Sequence, residues 1–197
     1  MFNGIITLGL DQQLKYDHIK KVLTCKIITS FKIMSLHTEK YKQVVLYLCS
    51  KLGKEVRGKK KLAKLLYFVD FDFFEKHQKY FTGDKYKALP MGPFPVSLNA
   101  ITHEMEKEKT IQVKSIKERD GYNATEVYAC LKEPNVSIFS KEEKEMMDRV
   151  VKRYGHLNGK QLEDLTHAEA PYSGTKPNEV IFYELAFYRG TDFNNHA

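Results

Sequence analysis

The chain has 197 residues, 42% hydrophobic and 29% charged, which is long enough for one domain with a sizeable core. Twelve tyrosines and twelve phenylalanines exclude a disordered chain, and eleven glycines with six prolines exclude a collagen-like one. No apolar run reaches the roughly 18 residues that a spanning helix needs, so no membrane segment is predicted. Cys25, Cys49 and Cys130 form no CxxC pair. This spacing excludes a zinc knuckle or disulfide framework and predicts a reducing, cytoplasmic location.

The first 33 residues differ in character from the rest of the chain. A short apolar run at residues 4–10 has no cationic segment before it, so it is a poor signal peptide. Met34-Ser35-Leu36 is typical of an ordinary protein start, and a helical pattern follows directly. Our hypothesis is that residues 1–33 are an extension from an upstream, non-native start, residues 34–190 are the domain, and residues 191–197 are a tail.

Two helices are predicted next. Thr38 is expected to cap a helix that runs to about Leu52. A second helix, from about Lys60 to Lys76, carries apolar residues on two sides, which predicts a central helix contacted from several directions. Asp70 is the lone acid between aromatic residues on one of its stripes.

A basic segment connects the two helices. Residues 51–64 contain seven cations and one acid, out of an overall charge of +7. Such a segment attracts nucleic acid, an anionic surface or an acidic protein, and it is equally compatible with a solvated turn. The candidate nucleic-acid residues are Lys54, Arg57, Lys59 and Lys60.

A loop rich in proline and glycine follows the central helix. Three prolines within six residues, at 90, 93 and 95, exclude a helix and predict a rigid loop. We expect Asp70 to hold this loop by accepting the Gly92 N–H, with Lys87 as another partner. The structural interpretation is that Asp70 only fixes the loop. The functional one is that the rigid loop presents Leu89, Met91 and Phe94 to a partner, since rigidity lowers the entropy cost of binding.

The remaining pattern alternates helices with one hairpin. A helix is predicted from Pro95 or Ser97 to about Lys107, and strands at 110–117 and 126–131 are joined by an Asp120-Gly121 turn. Ser140 with Glu143 forms a capping-box pattern that starts a helix ending near residues 154–155. A short helix (159–166) and an amphipathic segment (180–188) follow. The predicted fold class is α+β, a mainly helical single domain with a small antiparallel β-hairpin and a Pro/Gly-rich loop.

Motifs that carry chemistry are missing from this sequence. It contains no HExxH, no GxSxG elbow, and no P-loop, because Lys60 stands where the hydroxyl residue of a P-loop would be. We therefore expect no enzyme activity, no metal and no cofactor.

Several blocks of the sequence together resemble one known family. Residues 61–70, 80–84 and 88–95 are similar to the Panacea domain, the SocA-like antitoxin family that includes phage-associated proteins, and residues 154–157, 170–172 and 180–188 resemble its C-terminal half. The similarity runs from about Thr38 to Arg189. Its structural motif residues here are Lys61, Leu65, Tyr67, Asp70 and Pro95.

The resemblance implies an antitoxin of a toxin–antitoxin system, with a role in phage defence. It implies neutralisation of a cognate toxin by direct binding, with delivery to a protease or chaperone as a further step. The expected partner-binding residues are Leu89, Met91, Gly92, Pro93, Phe94, Tyr183 and Tyr188, although core packing explains the C-terminal aromatics equally well. The alternative from another class is a nucleic-acid-binding regulator that uses the basic segment. No membrane partner is expected.

Overall fold

Helices and two small antiparallel sheets make up residues 35–117 and 124–193, the part of the chain that the computed structural model describes. The mainly helical α+β class predicted from the sequence is confirmed. The described residues belong to one unit that begins at Ser35, and the predicted extension 1–33 lies outside them. None of the described helices is long and apolar enough to cross a membrane.

The first two helices form the centre of the domain. Helix α1 spans Thr38–Lys51 and helix α2 spans Lys59–His77. Every residue of α2 from Leu62 to Phe74 is buried, as its two apolar stripes predict. The predicted cap of α1 is wrong: Thr38 is already helical, and the cap residue His37 makes no side-chain capping hydrogen bond.

The basic segment contains a strand that the sequence did not predict. Strand β1 (Glu55–Arg57) pairs antiparallel with β5 (Thr125–Cys130), which in turn pairs with β4 (Ile111–Ile116). The β4–β5 hairpin agrees with the prediction, and its predicted Asp120-Gly121 turn lies outside the described residues. Gly53 and Lys54 before β1 and Gly58 after it adopt positive φ angles, which turn the chain at both ends of the strand.

The predicted rigid loop is a β-hairpin. Strand β2 (Tyr86–Leu89) pairs with β3 (Gly92–Pro95), and β6 (Val180–Ile181) pairs with the other side of β2. Strand β3 lies at the edge of its sheet and has a neighbouring strand on one side only. Its prolines, which have no N–H, therefore deprive no strand of a hydrogen-bond donor on the open side. The N–H of Val96 bonds the carbonyl of Lys85, so alternate residues of this strand, including Pro93, direct their carbonyls away from β2.

The remaining helices surround α2. Helix α3 spans Leu98–Lys107, α4 spans Lys141–Tyr154, and α5 and α6 span Gly159–His167 and Ala170–Ser173. The capping box of Ser140 and Glu143 is present in full at the start of α4, as predicted. The predicted amphipathic segment after residue 180 is strand β6 followed by a 3-10 helix, Tyr183–Tyr188.

Aromatic rings bind these outer elements to the central helix. Phe68 stacks on Tyr154 of α4 with ring centroids 3.8 Å apart, and Phe71 stacks on Tyr183 at 4.5 Å. Stacked pairs of this kind contribute about 0.5–1.5 kcal/mol beyond the area they bury. Helix α2 is therefore fixed both to α4 and to the C-terminal segment.

Candidate functional site

The tip of the β2–β3 hairpin is fastened to the helices by polar contacts. The Lys64 Nζ of α2 donates to the carbonyl oxygen of Pro93 at 2.7 Å, and the Tyr172 hydroxyl donates to the carbonyl of Leu89 at 2.9 Å. Lys64 is fully buried, and this burial lowers the pKa of its amine to about 7. The amine serves as a buried hydrogen-bond donor to a β3 carbonyl that points away from β2.

Gly92 is required at this contact for two reasons. Its φ angle is +90°, in the region that favours glycine. A Cβ atom on Gly92 would lie 2.8 Å from the Lys64 Nζ and 2.9 Å from the Thr166 Oγ1, closer than real Cβ contacts allow. The hairpin tip and helix α2 approach each other this closely because the residue has no side chain.

Asp70 fixes the base of the hairpin, with partners other than those predicted. Its carboxylate accepts the Thr82 N–H at 2.8 Å, the Thr82 hydroxyl at 2.6 Å and the Tyr86 hydroxyl at 2.6 Å. The predicted bond from Gly92 and the predicted partner Lys87 are both wrong, since Gly92 lies at the other end of the hairpin and Lys87 faces solvent. Burial raises the pKa of Asp70 to about 7, against the effect of its three donors.

Asp84 connects the hairpin to the next helix and to the C-terminal segment. Its carboxylate accepts the backbone N–H of Ser97 at 3.0 Å and its hydroxyl at 2.8 Å. The Tyr183 hydroxyl donates to the backbone carbonyl of Asp84 at 2.8 Å. The hairpin is therefore attached at its tip, at its base and along its return into α3.

A buried charge network, which sequence reasoning missed, anchors the end of the described chain. Arg189 contacts Asp72 at 2.7 Å and Glu169 at 2.7 Å, while Arg149 contacts the other Asp72 oxygen at 2.6 Å. The Tyr67 hydroxyl donates to Glu169 at 2.8 Å. Burial raises the pKa of Glu169, and Arg189 opposes that increase. An acid at position 72 in a helix with apolar stripes on both sides was the available signal, because a buried carboxylate needs a cation or donor.

The predicted partner-binding residues divide into exposed and buried groups. Met91 is 59% exposed and Tyr188 is 77% exposed, while Leu89 and Phe94 are partly exposed. Gly92 and Pro93 are buried within strand β3, and Tyr183 is buried at the start of the 3-10 helix. The part of these three residues in partner binding stays a prediction.

The structural motif residues lie on or beneath the same hairpin and helix. Leu65 and Tyr67 are buried in α2, and Pro95 is buried in β3. Lys61 donates to the carbonyl of Gly155 at 2.6 Å. These residues hold elements together, as Asp70 does.

The basic segment carries cations that face carboxylates of the same chain. Lys54 lies 3.3 Å from Glu133, Arg57 2.8 Å from Glu55, Lys59 3.1 Å from Glu126 and Lys60 2.5 Å from Glu163, so all four candidate nucleic-acid residues have an acidic neighbour. This pairing reduces the positive potential that a phosphate backbone would meet. In residues 35–117 and 124–193, no group of three or more His, Cys, Asp and Glu residues could hold a metal ion.

Comparison with known proteins identifies the family. The family model described as Antitoxin SocA-like, Panacea domain matches residues 62–172, which include the buried part of α2, the hairpin, helices α3 to α5 and most of α6. The match covers more than half of the chain, and the chain therefore belongs to this family of antitoxin domains. Searches of curated proteins and of solved structures gave no match.

Proposed function

We propose that this chain is an antitoxin that neutralises a cognate toxin by direct protein–protein binding through the β2–β3 hairpin and the adjoining C-terminal segment. The observation that carries the proposal is a combination of rigidity and exposure. The hairpin is held by Lys64, Asp70 and Tyr172, yet it leaves Met91 exposed at its tip.

Rigidity supports a binding role because ordering a loop at the moment of association reduces affinity. Each rotamer-rich side chain that is immobilised costs about 0.5–1.5 kcal/mol, and a hairpin held in place beforehand avoids the backbone part of that cost. Exposed apolar side chains then supply the buried area. Phe182 and Tyr188, 67% and 77% exposed, extend the apolar surface beyond the hairpin.

The test uses the product of the neighbouring open reading frame as the toxin. Expression of that protein alone is expected to stop growth, and coexpression of this chain is expected to restore it. Met91→Glu is expected to abolish rescue and direct binding of the purified toxin, since a charge then enters a desolvated contact. Leu131→Glu is the matched control, because Leu131 is 55% exposed and directly follows β5, a strand of the other sheet.

The outcomes separate the parts of the proposal. If the wild-type chain neither rescues growth nor binds the toxin, the proposed function is wrong. If Met91→Glu rescues as well as Leu131→Glu, the hairpin tip is not the contact. A toxin half-life that shortens on coexpression identifies delivery to a protease as the mechanism, whereas an unchanged half-life identifies blocking.

A further inference from the structure

The outer face of the β2–β3–β6 sheet has an ordered arrangement of side chains. Lys87 of the central strand pairs with Phe94 on one side and Val180 on the other. One step along the same register, Val96 donates its N–H to the carbonyl of Lys85 at 2.8 Å. Side chains directly opposite each other on one sheet face lie about 4.5–5.5 Å apart at their Cβ atoms.

Phe182 completes the second row. Its backbone remains extended after β6, with φ −78° and ψ 134°, so its side chain points to the same face as that of Val180 two residues earlier. Continuing the β2–β6 register places Phe182 opposite Lys85. The face therefore consists of a column of two lysines between two apolar columns. The first row is Phe94, Lys87 and Val180, and the second is Val96, Lys85 and Phe182.

These apolar side chains face solvent in the described structure. Val96 is 49% exposed and Val180 is 37% exposed, while their neighbours on the opposite face, Tyr86 and Ile181, are buried. The alternation follows from the two-residue period of a strand. One face of this sheet packs on the core, and the other carries apolar groups that no described element covers.

The two lysines differ from the basic segment in their electrostatic environment. Lys54, Lys59 and Lys60 all face acidic side chains of the chain itself. By contrast, none of the ion pairs formed among the described residues involves the ammonium group of Lys85 or Lys87, and both residues are exposed. Lys85 and Lys87 therefore place two uncompensated positive charges on this sheet face.

We propose that this face binds an acidic and apolar segment of the cognate toxin, which presents two carboxylates to Lys85 and Lys87 and apolar side chains to the flanking columns. The inference rests on the proposed function and specifies the chemistry of the partner. Lysines two residues apart on a strand are separated by about 7 Å, a distance that alternate side chains of an extended segment match. Nucleic acid is a poorer fit, since aliphatic side chains and a phenylalanine flank each lysine and offer no phosphate contact.

The test measures the affinity of the purified toxin for three forms of this chain. Lys85→Glu/Lys87→Glu is expected to weaken binding by roughly 100-fold, because two attractive contacts become repulsive within an apolar interface. Lys114→Glu/Lys132→Glu is the matched control, since it makes the same charge change at exposed lysines on β4 and just beyond β5. The control is expected to bind within threefold of the wild type.

A second variant tests the apolar columns. Val180→Thr/Phe182→Thr places a β-branched residue, which suits a strand, at both positions and is expected to weaken toxin binding at least tenfold with an unchanged unfolding midpoint. If the wild-type chain binds the toxin and neither Lys85→Glu/Lys87→Glu nor Val180→Thr/Phe182→Thr weakens that binding, this inference is wrong and the proposed function stands. Loss of binding in the Lys114→Glu/Lys132→Glu control to the same extent overturns it too, because the effect would then be one of net charge.

Other occupants of the face give different results. If the Lys85→Glu/Lys87→Glu change alters the oligomeric state, the face binds a second copy of this chain and the proposal is wrong. It is equally wrong if that change abolishes binding to duplex DNA or to anionic phosphatidylserine vesicles while toxin affinity is retained. A wild-type chain that fails to bind the toxin overturns both this inference and the proposed function.

Discussion

Replacing Gly92 with alanine tests how the hairpin tip is held against helix α2. The added methyl group would lie 2.8 Å from the Lys64 Nζ and 3.0 Å from its Cε. Lys64 is 1% exposed and donates to Pro93, so its side chain has little room to withdraw. The substitution must either displace a buried amine from its acceptor or move the hairpin away from the helix.

Gly53 provides the matched control for this experiment. Its φ angle is +85°, close to the +90° of Gly92, but a Cβ atom there would meet nothing within 4 Å. Gly53→Ala therefore measures the backbone strain alone, about 1–2 kcal/mol. Gly92→Ala adds overpacking of about 1–3 kcal/mol and the loss of a buried hydrogen bond worth about 1–3 kcal/mol. We expect it to cost about 2–6 kcal/mol more than the control.

Urea unfolding followed by circular dichroism measures both free energies. Lys64→Leu, which removes the amine and shortens the side chain, is expected to recover part of the loss when combined with Gly92→Ala. The coupling arises because the two single changes disrupt the same contact. If Gly92→Ala and Gly53→Ala cost the same within about 0.5 kcal/mol, or if the double variant is strictly additive, the proposed contact does not restrain the hairpin.

Three further predictions follow from the buried and paired charges. Arg189→Met is expected to destabilise the fold by about 3–5 kcal/mol at pH 8. This loss of stability should be smaller at pH 5. Without the guanidinium, the folded-state pKa of Glu169 rises further above its unfolded value, and protonation at pH 5 removes the cost of burying an unpaired carboxylate. Equal losses at pH 5 and pH 8 in urea unfolding would contradict this. The folded-state pKa of Asp70 is raised to about 7, so its contribution to stability should fall by up to about 1.4 kcal/mol per pH unit as the pH rises from 4 to 7. When the free energy of unfolding is measured across this pH range, Asp70→Asn should remove that slope. Lys59→Glu/Lys60→Glu should leave toxin affinity within threefold, and a tenfold loss in a binding titration would assign the basic segment to the toxin interface.

Local patterns were sufficient to predict the elements whose determinants lie close together in sequence. The capping box of Ser140 and Glu143 and the alternation in β4 and β5 each depend on residues a few positions apart. The burial of α2 followed from the apolar residues on two of its sides. These predictions needed only helix and strand periodicity, which a single sequence contains.

The errors arose where a distant partner decides the structure. Prolines at 93 and 95 favour a loop locally, but they are compatible with β3 because its outer edge has no neighbouring strand. Asp70 was predicted to accept the Gly92 N–H, whereas its partners depend on how Thr82 and Tyr86 fold back onto α2. Arg189 lies 117 positions from Asp72, and no local pattern connects them.

Lysine illustrates why composition alone cannot locate a charged binding surface. Lys64 is buried as a hydrogen-bond donor, Lys60 faces Glu163, and Lys85 and Lys87 lie exposed between apolar side chains. Five of the seven cations in the densest cluster of the sequence thus face carboxylates of the same chain. A partner responds to charge that remains uncompensated after folding and to the surface around that charge. Because apolar side chains flank the uncompensated lysines here, this principle favours an acidic protein segment over a phosphate backbone.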